Sequence, residues 1–243
     1  MVGWFPKTGD ENIIGPSTSV EGPLLLHFIW RLAMIEDSIL ECLTSFCNLL
    51  NTRYTIHLGR AGKTTSFDIG FNKQDCYHLM GFHYLEDRRD NRGRNYIFDE
   101  LISSADARKY MADSSFIDDN IRDRILFTGM LEELLDDNST VFRYNPRRLQ
   151  FFSQIEAEYL LDNTSHKREV YLFIDKRKDS DDRFCRSIFP KTTLDYTYGQ
   201  AKWTLLYKKK YLPDGSESVL YHNKNYVLSK ASEISTVYCK IKM

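Results

Sequence analysis

Between Leu25 and Leu49 the apolar residues fall at Leu25, Phe28, Leu32, Ile35, Ile39, Cys42, Phe46 and Leu49, in alternating steps of three and four. A stripe of that period predicts one long amphipathic helix over residues 19–52, opened by Thr18 and Glu21 as a capping box. A heptad seam of this length packs either on the chain's own core or on a partner, including a second copy, through residues 24–50. Residues 1–18 contain Gly3, Pro6, Gly9, Gly15 and Pro16, which predicts a flexible arm. Beyond the helix, Arg53–Leu58 and Thr64–Phe71 read as two strands joined by a glycine-containing turn. Helical periodicity returns over 73–86, 96–111 and 116–137, the last with Ser115 as N-cap.

After Asn138 the period changes from helical to alternating. Short strands are expected at Val141–Tyr144, Ile155–Leu161, Val170–Asp175, Phe184–Phe189, Lys202–Tyr211, Val219–His222 and Tyr226–Leu228. Helices come first, then a mainly antiparallel small sheet, without the rhythm that builds parallel crossovers. The fold class is α+β, with residues 53–243 as one domain.

Composition narrows the function classes. The 243 residues are 42% hydrophobic, enough for one substantial core. A net charge of −1 conceals an asymmetry: residues 141–243 carry 19 Lys+Arg against 12 Asp+Glu, so the preceding part is acidic. The opposed halves either complement each other within the fold or leave a basic part to attract a polyanion. Five cysteines with no CxxC pair argue against a disulfide framework or a structural zinc site. Leu24–Ala33 is apolar but too short for a membrane span, and the N-terminus lacks a signal-peptide pattern, so a cytoplasmic protein is expected.

Candidate chemistry concentrates in two stretches. In the first, Asp75 and His78 lie three apart on a predicted helix, where a carboxylate can orient an imidazole for proton transfer. His83 would lie roughly 140° further round that helix, so the two histidines do not form a metal pair. The arginine-rich segment Arg88–Arg94 reads as a loop, either solvated or holding a nucleic-acid backbone. In the second, Arg186, Ser187 and Lys191 precede Asp195-Tyr196-Thr197-Tyr198-Gly199-Gln200 and a strand interleaving Lys202 and Lys208 with aromatic rings. Cations for phosphate and rings for unpaired bases suit RNA; a two-sided strand with a solvated lysine face fits the same pattern. Arg124 sits beside an isoleucine stripe and points either inward to a site or out along the surface. The run Gly59-Arg60-Ala61-Gly62-Lys63-Thr64 looks like a phosphate loop, yet His57 occupies the place of the leading glycine and a strand follows in place of a helix.

These residues carry a resemblance. The blocks "FNKQDCYHLMGFHYLED" (71–87), "IRDRI" (121–125), "SQIEAEYLL" (153–161), "YLFID" (171–175) and "SIFPKTTLDYTYGQAKWTLLYKK" (187–209) resemble, in order, a phage-associated nuclease-like family. It is the fourth phage-type group of the Barnase–EndoU–colicin–RelE superfamily. The resemblance implies a compact Barnase/RelE-like α+β fold and RNA (tRNA or mRNA) as substrate. It also implies cleavage without metal or cofactor, by 2′-hydroxyl attack giving a 2′,3′-cyclic phosphate, in a toxin or phage-conflict setting. The matching polar positions are His78, Arg124, Ser187, Asp195, Tyr196 and Gln200. On that reading His78 is the base or acid and Tyr196 its counterpart or a stabilising donor. Arg186 and Lys191 bind phosphate, and Ser187 and Gln200 position it. Arg124, Lys202 and Lys208 contact substrate, while Asp195 orients a neighbour. Two departures stand out: Cys76-Tyr77 replaces a common Phe-His, so a second histidine beside His78 is missing, and Ile188 replaces an aromatic. An inactive module that binds a protein partner or nucleic acid is the alternative.

Overall fold

The computed structural model describes residues 21–164 and 169–228, with side chains from Met34 onward. The arm expected over 1–18 and the Thr18 cap lie outside them. Helix α1 (Glu21–Leu49) has the span its stripe predicts. Ile35, Ile39, Cys42, Phe46 and Leu49 are all buried in the chain's own core. That part of the seam is therefore closed to self-association or a partner. The side chains of Leu25, Phe28 and Leu32 fall outside the described residues.

Strands β1 (Arg53–Arg60) and β2 (Lys63–Gly70) pair along their full length around Ala61-Gly62. Both turn residues have positive φ (49° and 76°), so the segment is a hairpin turn and not a phosphate loop. The three helices expected next are shorter or divided. Helix α2 (Lys73–Leu79) is followed by Gly81 at φ 79° and a 3₁₀ turn over Phe82–Tyr84. Helices α3 (Arg94–Ser103) and α4 (Ala105–Ala112) are separated at Ser104, whose hydroxyl accepts from the Ala107 N–H at 3.2 Å. Helix α5 (Asp119–Gly129) is capped by Asp118, which accepts from Ile121 N–H at 2.9 Å, while Ser115 hydrogen-bonds Asp87. Asp118 takes the cap because α5 begins at Asp119, while Ser115 is held by the Asp87 carboxylate. Helix α6 (Leu131–Asp136) completes the set.

The remaining strands are β3 (Thr140–Arg143), β4 (Tyr159–Asn163), β5 (Val170–Lys176), β6 (Arg183–Pro190), β7 (Ala201–Tyr211) and β8 (Glu217–His222). Tyr226–Leu228 does not form a strand; instead the Tyr226 hydroxyl meets His57 Nδ1 at 2.9 Å. The sheet order is β1-β2-β6-β5-β4-β3-β7-β8, and β1 also pairs with β7, so seven strands close on themselves. The sheet is mixed: β2 meets β6 in parallel through a single pair, Ile69↔Arg183, and the other pairings are antiparallel. Val170 to Ile174 are buried throughout. Leu172 and Ile174 face the main core with the helices, while Tyr171 and Phe173 face a second cluster with Tyr144 and Leu160. A strand covered on both faces loses the alternating pattern.

Lys208, on β7, is 4% exposed. Its Nζ donates to the carbonyls of Leu135 at 2.8 Å, Asp136 at 3.3 Å and Asp137, closing the C-terminal end of α6. Burial lowers its ammonium to about 8 from 10.5. Between those values the unfolded chain binds more protons than the folded one, so stability rises with pH through that window. The unfolding free energy of the wild type should therefore climb from pH 8 to 10.5 relative to Lys208→Met, followed by urea denaturation. Parallel pH curves for the two proteins would refute the assignment.

Candidate active site

The end of α2 builds the centre of the site. Because the helix stops at Leu79, His83 is not carried round to the far side. Gly81 reverses the chain in the left-handed region, and a Cβ there would lie 2.8 Å from Ile121 Cδ1 and 2.9 Å from Arg124 Cδ. The Phe82–Tyr84 turn then folds back, placing His83 Nδ1 at 3.3 Å from His78 Nδ1. A second histidine thus stands beside His78, five residues on, where helical spacing alone could not find it. The ring of Tyr84 lies against His83, with centroids 3.9 Å apart.

Arginines surround the pair and settle its protons. Arg94 Nη1 meets His78 Nε2 at 2.6 Å. A guanidinium only donates, so His78 Nε2 accepts and its proton resides on Nδ1. Nδ1–H of His78 then donates to His83 Nδ1, which leaves the His83 proton on Nε2. Desolvation, then Arg94 and Arg186, pull the His78 imidazole below its ordinary value, opposed by Asp75. Desolvation first, then His78, Arg124 and Arg94, hold His83 down to about 4. Both rings are neutral at pH 7 in the free protein.

Strand β6 contributes the next layer. The register of β5 and β6 slips so that Phe173 faces Ser187 and Ile174 faces Cys185, which leaves Arg186 as the extra residue of a bulge. Plain alternation would send Arg186 and Ser187 to opposite faces; the bulge breaks that alternation. Ser187 Oγ accepts from Arg124 Nη1 at 3.3 Å, and Arg186 pairs with Asp175 at 2.8 Å. Arg124 stands 5.5 Å over the Tyr84 ring and 5.6 Å over Phe189. Tyr196 packs edge-on to Phe189 at 5.4 Å, with its hydroxyl pushed up by burial and drawn down by Ser153 and Arg124. His78, His83, Arg94, Arg124, Arg186, Ser187 and Tyr196 therefore belong to one neighbourhood.

Other expected residues lie elsewhere. Asp75 does not hydrogen-bond His78; its carboxylate accepts from Arg177 at 2.5 and 3.0 Å and from Asn72 N–H at 2.7 Å. Gln200 clamps the backbone of Asn145 through 2.7 and 3.1 Å bonds and so holds a loop. Asp195 accepts from Thr197 and, at 3.3 Å, from the Tyr171 hydroxyl. Lys191 is paired with Glu169 at 2.9 Å. Lys202 is exposed on β7 opposite Phe142, whereas Lys208 is buried against α6 and does not reach solvent for a phosphate. From the sequence His83 is expected on the far side of the helix from His78, and Arg94 only within an arginine-rich loop, solvated or holding a nucleic-acid backbone; Arg94 instead opens α3 and meets His78.

Among the described residues no group of three or more His, Cys, Asp or Glu converges as a metal site, and no helix is long and apolar enough to cross a membrane. No curated protein and no solved structure matches the chain. A family profile described as phage-Barnase-EndoU-ColicinE5/D-RelE like nuclease4 matches residues 38–224. That span includes every member of the histidine–arginine cluster and well over half the sequence, and the chain belongs to this family of Barnase-EndoU-ColicinE5/D-RelE like nucleases.

Proposed function

We propose that the protein is a metal-independent endoribonuclease that cleaves RNA by 2′-hydroxyl attack on the adjacent phosphate. The observation that carries this reading is the His78–His83 hydrogen bond inside a ring of three arginines. Arg94, Arg124 and Arg186 supply the charge that a pentacovalent phosphorane needs. When a phosphate draws Arg94 away, the Nε2 lone pair of His78 is released as a base. His78 Nε2 takes the 2′-hydroxyl proton, His78 Nδ1 passes its own proton to His83 Nδ1, and His83 Nε2–H protonates the departing 5′-oxygen. The 2′-oxygen–phosphorus bond forms as the phosphorus–5′-oxygen bond breaks, and both histidines end in the opposite tautomer. Such a relay works with both rings neutral, as their lowered pKa values require. The neighbouring His83 favours this reading over an inactive binding module, whose grounds are the histidine missing beside His78 and the heptad seam of α1. A toxin or phage-conflict setting, with tRNA or mRNA as target, fits this chemistry.

Incubation with total RNA in excess EDTA should yield 2′,3′-cyclic phosphate and 5′-hydroxyl ends. Cleavage that needs added Mg²⁺, or leaves 5′-phosphate ends, would reject the mechanism. The pH profile follows from the histidines. Because both are held down in the free protein, the acid limb of kcat/KM should lie below the ordinary histidine value of 6.5. Arg94→Ala removes a charge that depresses both rings, so the limb should move up in pH, apart from any loss in rate. An unmoved limb would separate the titration from this pair.

A further inference from the structure

Beside the histidine pair lies a cleft of about 330 Å³, bounded by α3, α4 and the loop before α3. We infer that it binds the nucleobase next to the scissile phosphate and selects guanine; the inference rests on the ribonuclease reading above. The cleft adjoins the site through Tyr77. Tyr77, in its floor, directly precedes His78, and Arg94 stands 5.9 Å over the Tyr77 ring while bonded to His78. A nucleotide with its phosphate at Arg94 therefore has its base at the mouth of this cleft.

The lining suits a base and not a second phosphate. Tyr77, Ile97 and Leu101 make an apolar floor, and Tyr110, half-exposed, offers a ring backed by Arg88 at 4.5 Å. Stacking on such a ring is available to every base. The cations at the cleft are already occupied. Arg88 donates to the carbonyls of Tyr110, Asp113 and Asp87 at 2.7, 2.9 and 3.1 Å. Arg92 is held by both Asp90 and Glu100, with its Nη2 at 2.5 and 2.8 Å from them. Asp90, Glu100 and Asp106 against Arg88 and Arg92 leave the lining net negative, which repels phosphate. Arg92 gives two bonds to each Asp90 oxygen but one to each Glu100 oxygen, so Glu100 keeps acceptor lone pairs. The remaining hydrogen-bonding capacity, on the two oxygens of Glu100, is for donors. Guanine alone presents two adjacent donors, N1–H and N2–H, on one edge. Adenine and cytosine each place an acceptor beside the amino group, and uracil flanks its single donor with two acceptors.

Calorimetric binding of 3′-GMP, 3′-AMP, 3′-CMP and 3′-UMP to the full chain tests this without requiring turnover. The guanine nucleotide should bind about tenfold more tightly than the others, the discrimination of one bidentate contact. Glu100→Gln should reduce that preference to about threefold or less by removing one acceptor. Tyr110→Ala, whose side chain is half-exposed, should weaken all four by a similar factor, on the order of tenfold. Equal affinities, no binding up to millimolar concentration, or a guanine preference untouched by Glu100→Gln would each overturn the assignment. Guanine-selective binding without cleavage of any RNA would leave the subsite standing and sink the nuclease reading. Cleavage in EDTA with all four nucleotides bound alike would do the reverse.

Discussion

His83→Ala should lower kcat/KM for RNA cleavage on the order of 10²- to 10⁴-fold, as much as His78→Ala does. The reason is the shared proton path. With Arg94 on one nitrogen of His78 and His83 on the other, each histidine fixes the tautomer of its neighbour. Removal of either ring breaks the only route the relay offers from the 2′-hydroxyl to the leaving oxygen. Residues that act as a unit are not additive, so the double His78→Ala/His83→Ala variant should be no slower than the worse single one. His83→Asn separates two roles. The Asn oxygen can accept from His78 Nδ1–H, as His83 Nδ1 does, but it places no donor where Nε2–H stands. If His83 only orients His78, Asn restores cleavage; if it delivers the proton, Asn is as slow as Ala. An Ala variant cleaving within about threefold of wild type would remove the pair from the chemistry altogether.

The ease of reading the sequence differs between the fold and the site, and the difference is physical. Period is a local property, so α1, the β1–β2 hairpin and the order of helices before sheet were legible from spacing alone. Continuous burial of Val170–Ile174 was not, since one strand's pattern does not report what covers each face. The site depends on chain reversals. Gly81 was visible within "HLMGFH", yet a helical projection through it put His83 on the wrong side; a glycine two residues past a helix end was the signal for a turn. The bulge at Arg186 left no mark in the sequence, because one extra residue on β6 is defined only by its register with β5. Lys208 misled for a related reason. A lysine on an alternating strand reads as solvated, and only the approach of α6 turns it into a buried cap.

Asp75→Ala should destabilise the fold by about 3–5 kcal/mol, the cost of leaving one member of a buried ion pair alone. Asp75 is 5% exposed, and the Arg177 side chain 15%. Arg177 donates to both Asp75 oxygens and to the Gly70 carbonyl, and it lies 4.9 Å over the Phe184 ring. The pair therefore ties the start of α2 to the end of β2 and to the segment between β5 and β6. It fixes the helix that carries His78 without touching the imidazole. For a chain of this length the loss amounts to roughly 10 °C in Tm, measurable by thermal denaturation. Arg177→Ala should cost a similar amount, and the double variant less than the sum, because no unpaired charge then remains buried. At a temperature where Asp75→Ala stays folded, cleavage per folded molecule should fall far less than the ~10²-fold expected for a lost proton-transfer group. A variant of wild-type stability but with activity as low as His78→Ala would instead make Asp75 the residue that orients His78. The carboxylate nearest in sequence to the histidine thus serves the scaffold, and the partner of the histidine is its own kind.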